Sequence, residues 1–362
     1  DASMLHAVIM AGGSGTRFWP ASRRERPKQF LTLATDTPLL RMTFERLGDL
    51  VPPERVWVVT AEATADASRE VLPELPAGNV LAEPVGRNTA ACVGFAAHAM
   101  LSEDPDAICI VLPADHVIGQ EERFRSAMVA GGRVVERDGG LLTFGVQPTR
   151  PETGYGYLEV GQEHSRDGEW VVHRLQRFVE KPDAERAQRY IDSARFLWNA
   201  GIFAWRAVDL LDEIRRQLPE LATGLDRLAK AIGSSEADAV LAEVYPTLPA
   251  TSVDFGVMEG AQTCWTMPVD FPWSDIGSWS ALAGEIPGDS SDNHSRGRIH
   301  SKDARGNVLV STGPVVSVVG VENLVVVATA DAVLVVPKDE AQRVKEVVEA
   351  LREKGWDLSL IH

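Results

Sequence analysis

Cysteine is scarce in this sequence. The three present, Cys92, Cys109 and Cys264, show neither CxxC nor Cys/His metal spacing. A disulfide framework is thereby excluded, and buried free thiols in a reducing compartment, the cytoplasm, are expected. Positive charge is also short: 36 Lys and Arg against 52 Asp and Glu leave a formal net charge of -16. Nucleic acid and anionic membrane surfaces are therefore poor partners. Long apolar runs are missing too. The most apolar stretch, Val308 to Val336, is broken by Gly, Pro, Glu and Asp, so it is no membrane span. No signal peptide is visible, and Asp1-Ala2-Ser3 ahead of Met4 stands outside the fold argument.

What is present has the composition of an ordinary soluble globular protein, 44% apolar and 24% charged. A chain of 362 residues suits one large or two modest domains with a substantial core. It is organised around Met10 to Leu31, MAGGSGTRFWPASRRERPKQFL. Leu5 to Met10 reads as a buried strand of a parallel sheet. The strand runs into Ala11, Gly12, Gly13, Ser14, Gly15 and Thr16, where three glycines in four positions let the backbone turn sharply and bring its N–H groups close to a ligand. Inward-turned N–H groups form a concavity for anions. Arg17, Arg23, Arg24, Arg26 and Lys28 follow, with Glu25 the only acid among them. Glycine amides beside a fork of Arg and Lys suit a polyphosphate. The segment is not a P-loop, because no Gly-Lys-Ser/Thr follows at the required spacing. Nor is it a dinucleotide fingerprint, since Phe18 stands where a third glycine belongs. A glycine-rich turn beside a solvated basic face is the alternative, and Pro27 ahead of Lys28 argues against it by restricting the backbone there.

The string AGGSGTRFWPASRRERPKQFL resembles the signature of sugar-phosphate nucleotidylyltransferases, specifically the mannose-1-phosphate guanylyltransferase family. Matches continue to about Lys345. In Glu83-Pro84-Val85-Gly86-Arg87-Asn88-Thr89 the resemblance implies the base-recognition loop, so Glu83, Pro84, Arg87, Asn88 and Thr89 join the glycine segment as nucleotide-binding residues. Capping alone would explain Asn88 or Thr89, with Thr89 as N-cap of a helix from Ala90 to Leu101. Asp115, in Pro113-Ala114-Asp115-His116, follows an apolar strand, where ligands of open α/β sheets bind. There it suits Mg²⁺ bridging nucleotide phosphates, although a lone Asp after a strand also serves as a turn or cap residue. His116 is assigned a structural or orienting role. Asp275, in the W-S-D-I-G-S-W run, is the second metal carboxylate that the resemblance implies. Gly154 lies in a Gly- and Tyr-rich stretch whose backbone is expected to approach a ligand, the sugar phosphate, with a hairpin turn as the alternative. Glu180 and Lys181 fall in an F-x-E-K-P motif whose counterparts hold the sugar hydroxyls and the sugar phosphate. Asn199 sits in Trp198-Asn199-Ala200-Gly201, with Ala200 where Ser is usual, and reads the sugar. Ser252-Val253-Asp254-Phe255 matches a further family motif to which no role is given.

Short apolar strands alternating with amphipathic helices predict right-handed βαβ units. The predicted fold is α/β, a Rossmann-like mixed and mainly parallel sheet flanked by helices (4–286), followed by a small C-terminal domain (287–362). Pro287 to Ser295 reads as the linker. The regular apolar runs of Val308 to Val336 suit a solenoid of β-coils, as in the family's left-handed β-helix, or a β-sandwich fragment. The segment Glu220 to Glu243 reads as helical, and a final helix starts near Asp339 with Gln342 in a capping box. The implied reaction joins GTP and mannose 1-phosphate, with Mg²⁺ as cofactor, Arg17 on the leaving pyrophosphate, Lys28 on the nucleotide phosphates and Lys181 steering the sugar phosphate. Arg17, Lys28, Asp115 and Asp275 are the catalytic set. The alternatives are another base or sugar 1-phosphate, or an inactive regulatory subunit, which would need none of that set. Apolar faces on the C-terminal coils predict a homodimer.

Overall fold

Seven apolar runs and two long, partly exposed strands build the central sheet. The computed structural model describes residues 5–13 and 15–356; Ser14 of the glycine segment lies outside the described residues. The strands are β1 (Leu5–Ala11), β2 (Val56–Ala61), β3 (Val80–Glu83), β4 (Ile108–Pro113), β5 (Leu141–Val146), β6 (Tyr157–Asp167), β7 (Trp170–Val179), β8 (Phe196–Arg206) and β9 (Cys264–Val269). They run in the order β3-β2-β1-β4-β8-β5-β9-β7-β6. The sheet is parallel from β3 to β4 and again between β5 and β9. Strand β8 enters antiparallel to both β4 and β5. Buried on both faces, β1, β2, β4 and β5 can be apolar at nearly every position, which is why they read so plainly in the sequence.

Helices cover both faces. On one, α1 (Asn88–Glu103) packs with α2 (Ala207–Gln217) and α3 (Pro219–Ala231) over Val8, Trp57, Val59, Val111 and Trp205. The small residues of α1 permit that approach: a Cβ on Gly94 would lie 2.5 Å from Leu225. On the other face, Phe124, Met128 and Val134 of the helix Glu121–Asp138 are fully buried. Each such apolar side chain contributes about 1.5–3 kcal/mol of transfer free energy. Two helices replace the single one expected over Glu220 to Glu243. The chain breaks at Gly233 (φ 77°), a left-handed backbone that ends a helix at little steric cost, and resumes at Ala237–Val244.

The chain forms two compact units interleaved in sequence. One comprises the residues up to Gly12, Thr43–Ala114 and Ile118–Trp273, and contains the whole nine-stranded sheet. The other comprises Gly13–Met42, Asp115–Val117 and the residues from Ser274 onward. In this second unit His294–Arg296, Val308–Ser311 and Leu324–Ala328 stack in parallel, with Val333–Pro337 antiparallel at the edge. Ile299–Lys302 and Val316–Val319 pair in parallel as a second side, giving the β-helix-like coil. An asparagine precedes each of the three parallel strands of the main side, at 293, 307 and 323. Asn293 and Asn307 are buried, and the Asn307 amide donates to Asn293 Oδ1 (2.9 Å) while its Oδ1 accepts from Leu324 N (2.8 Å). Pro287 to Ser295 is therefore the first turn of the coil rather than a linker. Its polar residues are there to satisfy buried backbone groups.

The Gly13–Met42 segment shares its core with these coils. Phe18, Trp19, Leu31, Leu33 and Leu39 pack in one cluster with Ile276, Trp279, Val308, Val325, Leu334, Val344 and Val348. The Trp279 indole N–H donates to Trp19 O at 3.0 Å, and its ring meets Phe18 edge-on at 5.2 Å. The C-terminal helix starts at Val344 after a 3-10 turn, with no side-chain cap. Gln342 does not form the expected capping box; its Oε1 accepts instead from Arg17 (3.3 Å).

Candidate active site

Close packing against Lys28 shapes the signature segment. Gly13 (φ 105°) and Gly15 (φ 58°) take backbone angles that side chains resist, and a Cβ on Gly15 would sit 2.9 Å from Lys28 Cβ. Ser22 Oγ closes the turn by donating to Gly15 O (2.7 Å). Pro27, extended at φ -67°, then sets the start of a 3-10 turn at Lys28. The Lys28 side chain is 10% exposed, and its ammonium is well matched. It donates to the backbone carbonyl of Asp275 at 2.6 Å, meets Asp115 Oδ2 at 3.2 Å and lies 5.4 Å from the Phe18 ring centroid. Burial alone would raise the Asp115 carboxyl, but the Lys28 and His116 charges outweigh it and hold the group below the ordinary carboxylate range. His116 Nε2 stands 3.8 Å from Asp115 Oδ1. Three residues far apart in sequence thus meet at one ammonium.

The same unit ties down two of the arginines. Arg17 is exposed and donates to Gln342; Arg23 makes a two-pronged fork on Asp331, at 2.7 and 3.0 Å. That fork is the main reason the Asp331 carboxyl drops to about 2. Beside Asp275, Ile276 is fully buried with φ 41°. A β-branched residue in the left-handed region is strained, and such strain collects at functional sites. Asn88 (φ 62°) and Lys181 (φ 35°) repeat the pattern in two other predicted segments.

In the sheet-bearing unit, Ala11 ends β1 and its carbonyl accepts from the Thr60 hydroxyl (3.0 Å), while Gly12 is exposed and unencumbered. Glu83 ends β3, is 8% exposed, and accepts a hydrogen bond on Oε2 from the Tyr245 hydroxyl. Burial raises its carboxyl, and the Tyr245 hydrogen bond pulls it part of the way back. Arg87 donates Nε to Pro246 O (3.0 Å). Pro84 is half-buried and Asn88 exposed. Helix α1 begins at Asn88, so Thr89 lies in its first turn and is not the N-cap; its Oγ1 accepts from Val253 N (2.8 Å), a tertiary contact.

Asn199 joins three stretches of the chain. Its backbone N–H donates to Gly156 O (2.9 Å), its Nδ2 donates to Asp254 Oδ1 (2.9 Å), and its Oδ1 accepts from Gly201 N (3.1 Å). Burial raises the Asp254 carboxyl, partly offset by that Asn199 hydrogen bond. Gly154 donates its N–H to Glu152 Oε1 (3.0 Å) and is exposed, as are Glu180 and Lys181. Tyr155 stands edge-on to Trp198 and Trp273, at 5.0 and 5.3 Å. Sequence reasoning missed Tyr245, which carries no local signal. It also left Asp254 without a role, although that residue sits in a quoted motif.

A mixed α/β sheet whose first strand runs into a glycine-rich segment, with β-coils beyond, fits the nucleotidyl transferase class. Residues 6–289 match the nucleotidyl transferase family, and 297–351 match the MannoseP isomerase/GMP-like beta-helix domain. Mannose-1-phosphate guanylyltransferase of Escherichia coli (strain K12) is 38% identical, covering 99% of this chain and 76% of its own length. Alginate biosynthesis protein AlgA of Pseudomonas syringae pv. tomato is 35% identical, covering 96% and 72%. A solved structure from Thermus thermophilus, described as a mannose-1-phosphate geranyltransferase, superposes with a TM-score of 0.86 at 39% identity, covering 96% of this chain and 99% of that one. The chain belongs to the nucleotidyl transferase family, among the mannose-1-phosphate guanylyltransferases that carry a GMP-like β-helix.

Proposed function

We propose that this protein transfers GMP from GTP to mannose 1-phosphate, releasing pyrophosphate and GDP-mannose. The observation that carries the transfer chemistry is the buried Lys28 ammonium bonded to both Asp115 and Asp275 beside the signature turn. The choice of guanine and mannose rests on the names of the relatives. An oxygen of the sugar phosphate attacks the α-phosphorus, the bond to the bridging oxygen of pyrophosphate breaks, and pyrophosphate leaves in line. Positioning and charge stabilisation supply most of the acceleration in such a step. Lys28 holds the nucleotide phosphates and Arg17 the leaving pyrophosphate, while Lys181 steers the incoming phosphate. Glu83, Pro84, Arg87, Asn88 and Thr89 take the base; Gly154, Glu180 and Asn199 take the sugar.

Mg²⁺ fits the donor set. Asp115 and Asp275 offer hard oxygens, and Mg²⁺ is usually held by one or two carboxylates, with phosphates and water completing its shell. Among the described residues no group of three or more His, Cys, Asp or Glu side chains gathers as a metal cluster, so substrate oxygens would supply the rest. Bound there, the cation would neutralise triphosphate charge. Among the described residues no helix is long and apolar enough to cross a membrane. We place the enzyme in the cytoplasm as a homodimer, with 4–286 as transferase domain and 287–362 as β-helix domain.

The test is a pyrophosphate-release screen of four nucleoside triphosphates against several sugar 1-phosphates. GTP with mannose 1-phosphate should be fastest, with GTP ahead of ATP by at least about 10²-fold in kcat/KM, a modest ratio for polar discrimination of a base edge. A different best pair would overturn the assignment of base or sugar.

A further inference from the structure

The loop from Glu83 to Ala90 is held by one distant segment. Tyr245 donates its hydroxyl to Glu83 Oε2, and the next carbonyl, Pro246 O, accepts from Arg87. Thr251 O then accepts from Ala90 N at 3.0 Å, and Val253 N donates to Thr89 Oγ1 at 2.8 Å. Five hydrogen bonds, two of them from the Arg87 guanidinium to Pro246 O, thus join the segment from Tyr245 to Val253 to both ends of the proposed base loop. Tyr245 is fully buried, and its ring meets Phe95 edge-on at 5.5 Å, so the hydroxyl has little freedom to turn away. Among the described residues Glu83 Oε1 accepts no hydrogen bond.

We propose that Tyr245 is a positioning residue for base selection: by occupying Glu83 Oε2 it fixes the carboxylate as an acceptor and leaves Oε1 for the N1–H or exocyclic amine of guanine. The proposal rests on the guanylyltransferase reading and goes beyond it, since nothing in the loop itself points to residue 245. Adenine presents an acceptor at N1 and lacks that amine, so a fixed acceptor rejects it. A protonated carboxyl would be a donor and would lose the distinction. Burial pushes Glu83 toward that protonated form, and the Tyr245 hydrogen bond opposes it. The other titratable groups facing the pair are Cys92, whose thiol burial pushes up and keeps neutral, and Arg87, whose charge acts on Tyr245.

The experiment compares the parent with Tyr245→Phe, which keeps the ring packed on Phe95. For each, kcat/KM is measured with GTP and with ATP from pH 6 to 9. Tyr245→Phe should lower the GTP/ATP ratio by at least about 10-fold, the loss of one hydrogen bond to a charged group. The acidic limb of the GTP profile should move to higher pH, while KM for mannose 1-phosphate stays as in the parent. An unchanged ratio and limb would overturn the proposal and reduce Tyr245 to packing. If the parent itself shows no preference for GTP, the guanylyltransferase reading fails first. Should Tyr245→Phe not fold, Glu83→Gln decides: its GTP/ATP ratio must fall and lose the pH dependence the parent shows, and a parent-like profile would overturn the proposal.

Discussion

An ammonium group with only a tenth of its side chain exposed must find oxygen partners, because burying an unmatched charge costs several kcal/mol. Lys28 finds Asp115 and the Asp275 carbonyl, and each of the three was readable as a motif residue. That they meet was not, since no local pattern joins positions 28, 115 and 275. A second buried group shows the same logic away from the site. His6, 2% exposed, accepts from the Trp57 indole on Nδ1 (3.1 Å), and its Nε2 faces Asp104 (2.9 Å). Burial lowers its affinity for a proton more than Asp104 restores it. A proton on Nδ1 would confront the Trp57 N–H, so the folded state holds the neutral ring. The unfolded chain takes up that proton near pH 6.5 and the folded chain only at lower pH. Stability should therefore be level above about pH 6.5 and fall as the pH drops from there toward the lower folded value. Thermal melts at pH 7.5 and 5.5 check this. His6→Leu should be less stable at pH 7.5 yet lose less between the two; an equal loss would show that other groups carry the slope.

Elements were legible in proportion to how local their causes are. The apolar runs of β1 and of β4, the strand ahead of Asp115, follow from residues next to one another, and both stand where they were expected. The start of α1 and the first turn of the coil depend on distant partners such as Val253 and Asn307, and those were misread. The coils also carry an open edge. Strand Val333–Pro337 ends the four-stranded side, and Val333 and Val335 point outward at 62% and 60% exposure, with Val319 at 61% on the second side. An exposed apolar edge strand invites pairing with another copy, and a two-fold arrangement is the simplest closed form. Light scattering at micromolar concentration should give twice the 39.4 kDa chain mass, and Val335→Lys should shift it toward the monomer. A single 39.4 kDa species for the parent would contradict the homodimer.

At the scale of the molecule, the strongly acidic chain groups five basic residues between Arg17 and Lys28 and builds that segment into the same core as the C-terminal coils. The β-helix is thereby part of what holds Arg23 and Lys28, through Asp331, Trp279 and the shared valines, rather than a detached appendage. In the proposed mechanism Lys28, Asp115 and Asp275 form the transfer centre, and the two carboxylates take Mg²⁺. The most direct measurement is the rate of GDP-mannose formation against Mg²⁺ concentration for the parent, Asp115→Asn, Asp275→Asn and Lys28→Ala. Each Asp→Asn variant should need more Mg²⁺ than the parent, having lost a charged oxygen ligand. Lys28→Ala should lower kcat by about 10²–10³, as the loss of a preorganised charge-stabilising donor does. Parent-like Mg²⁺ titrations for both aspartate variants, with near-normal turnover for Lys28→Ala, would contradict that mechanism.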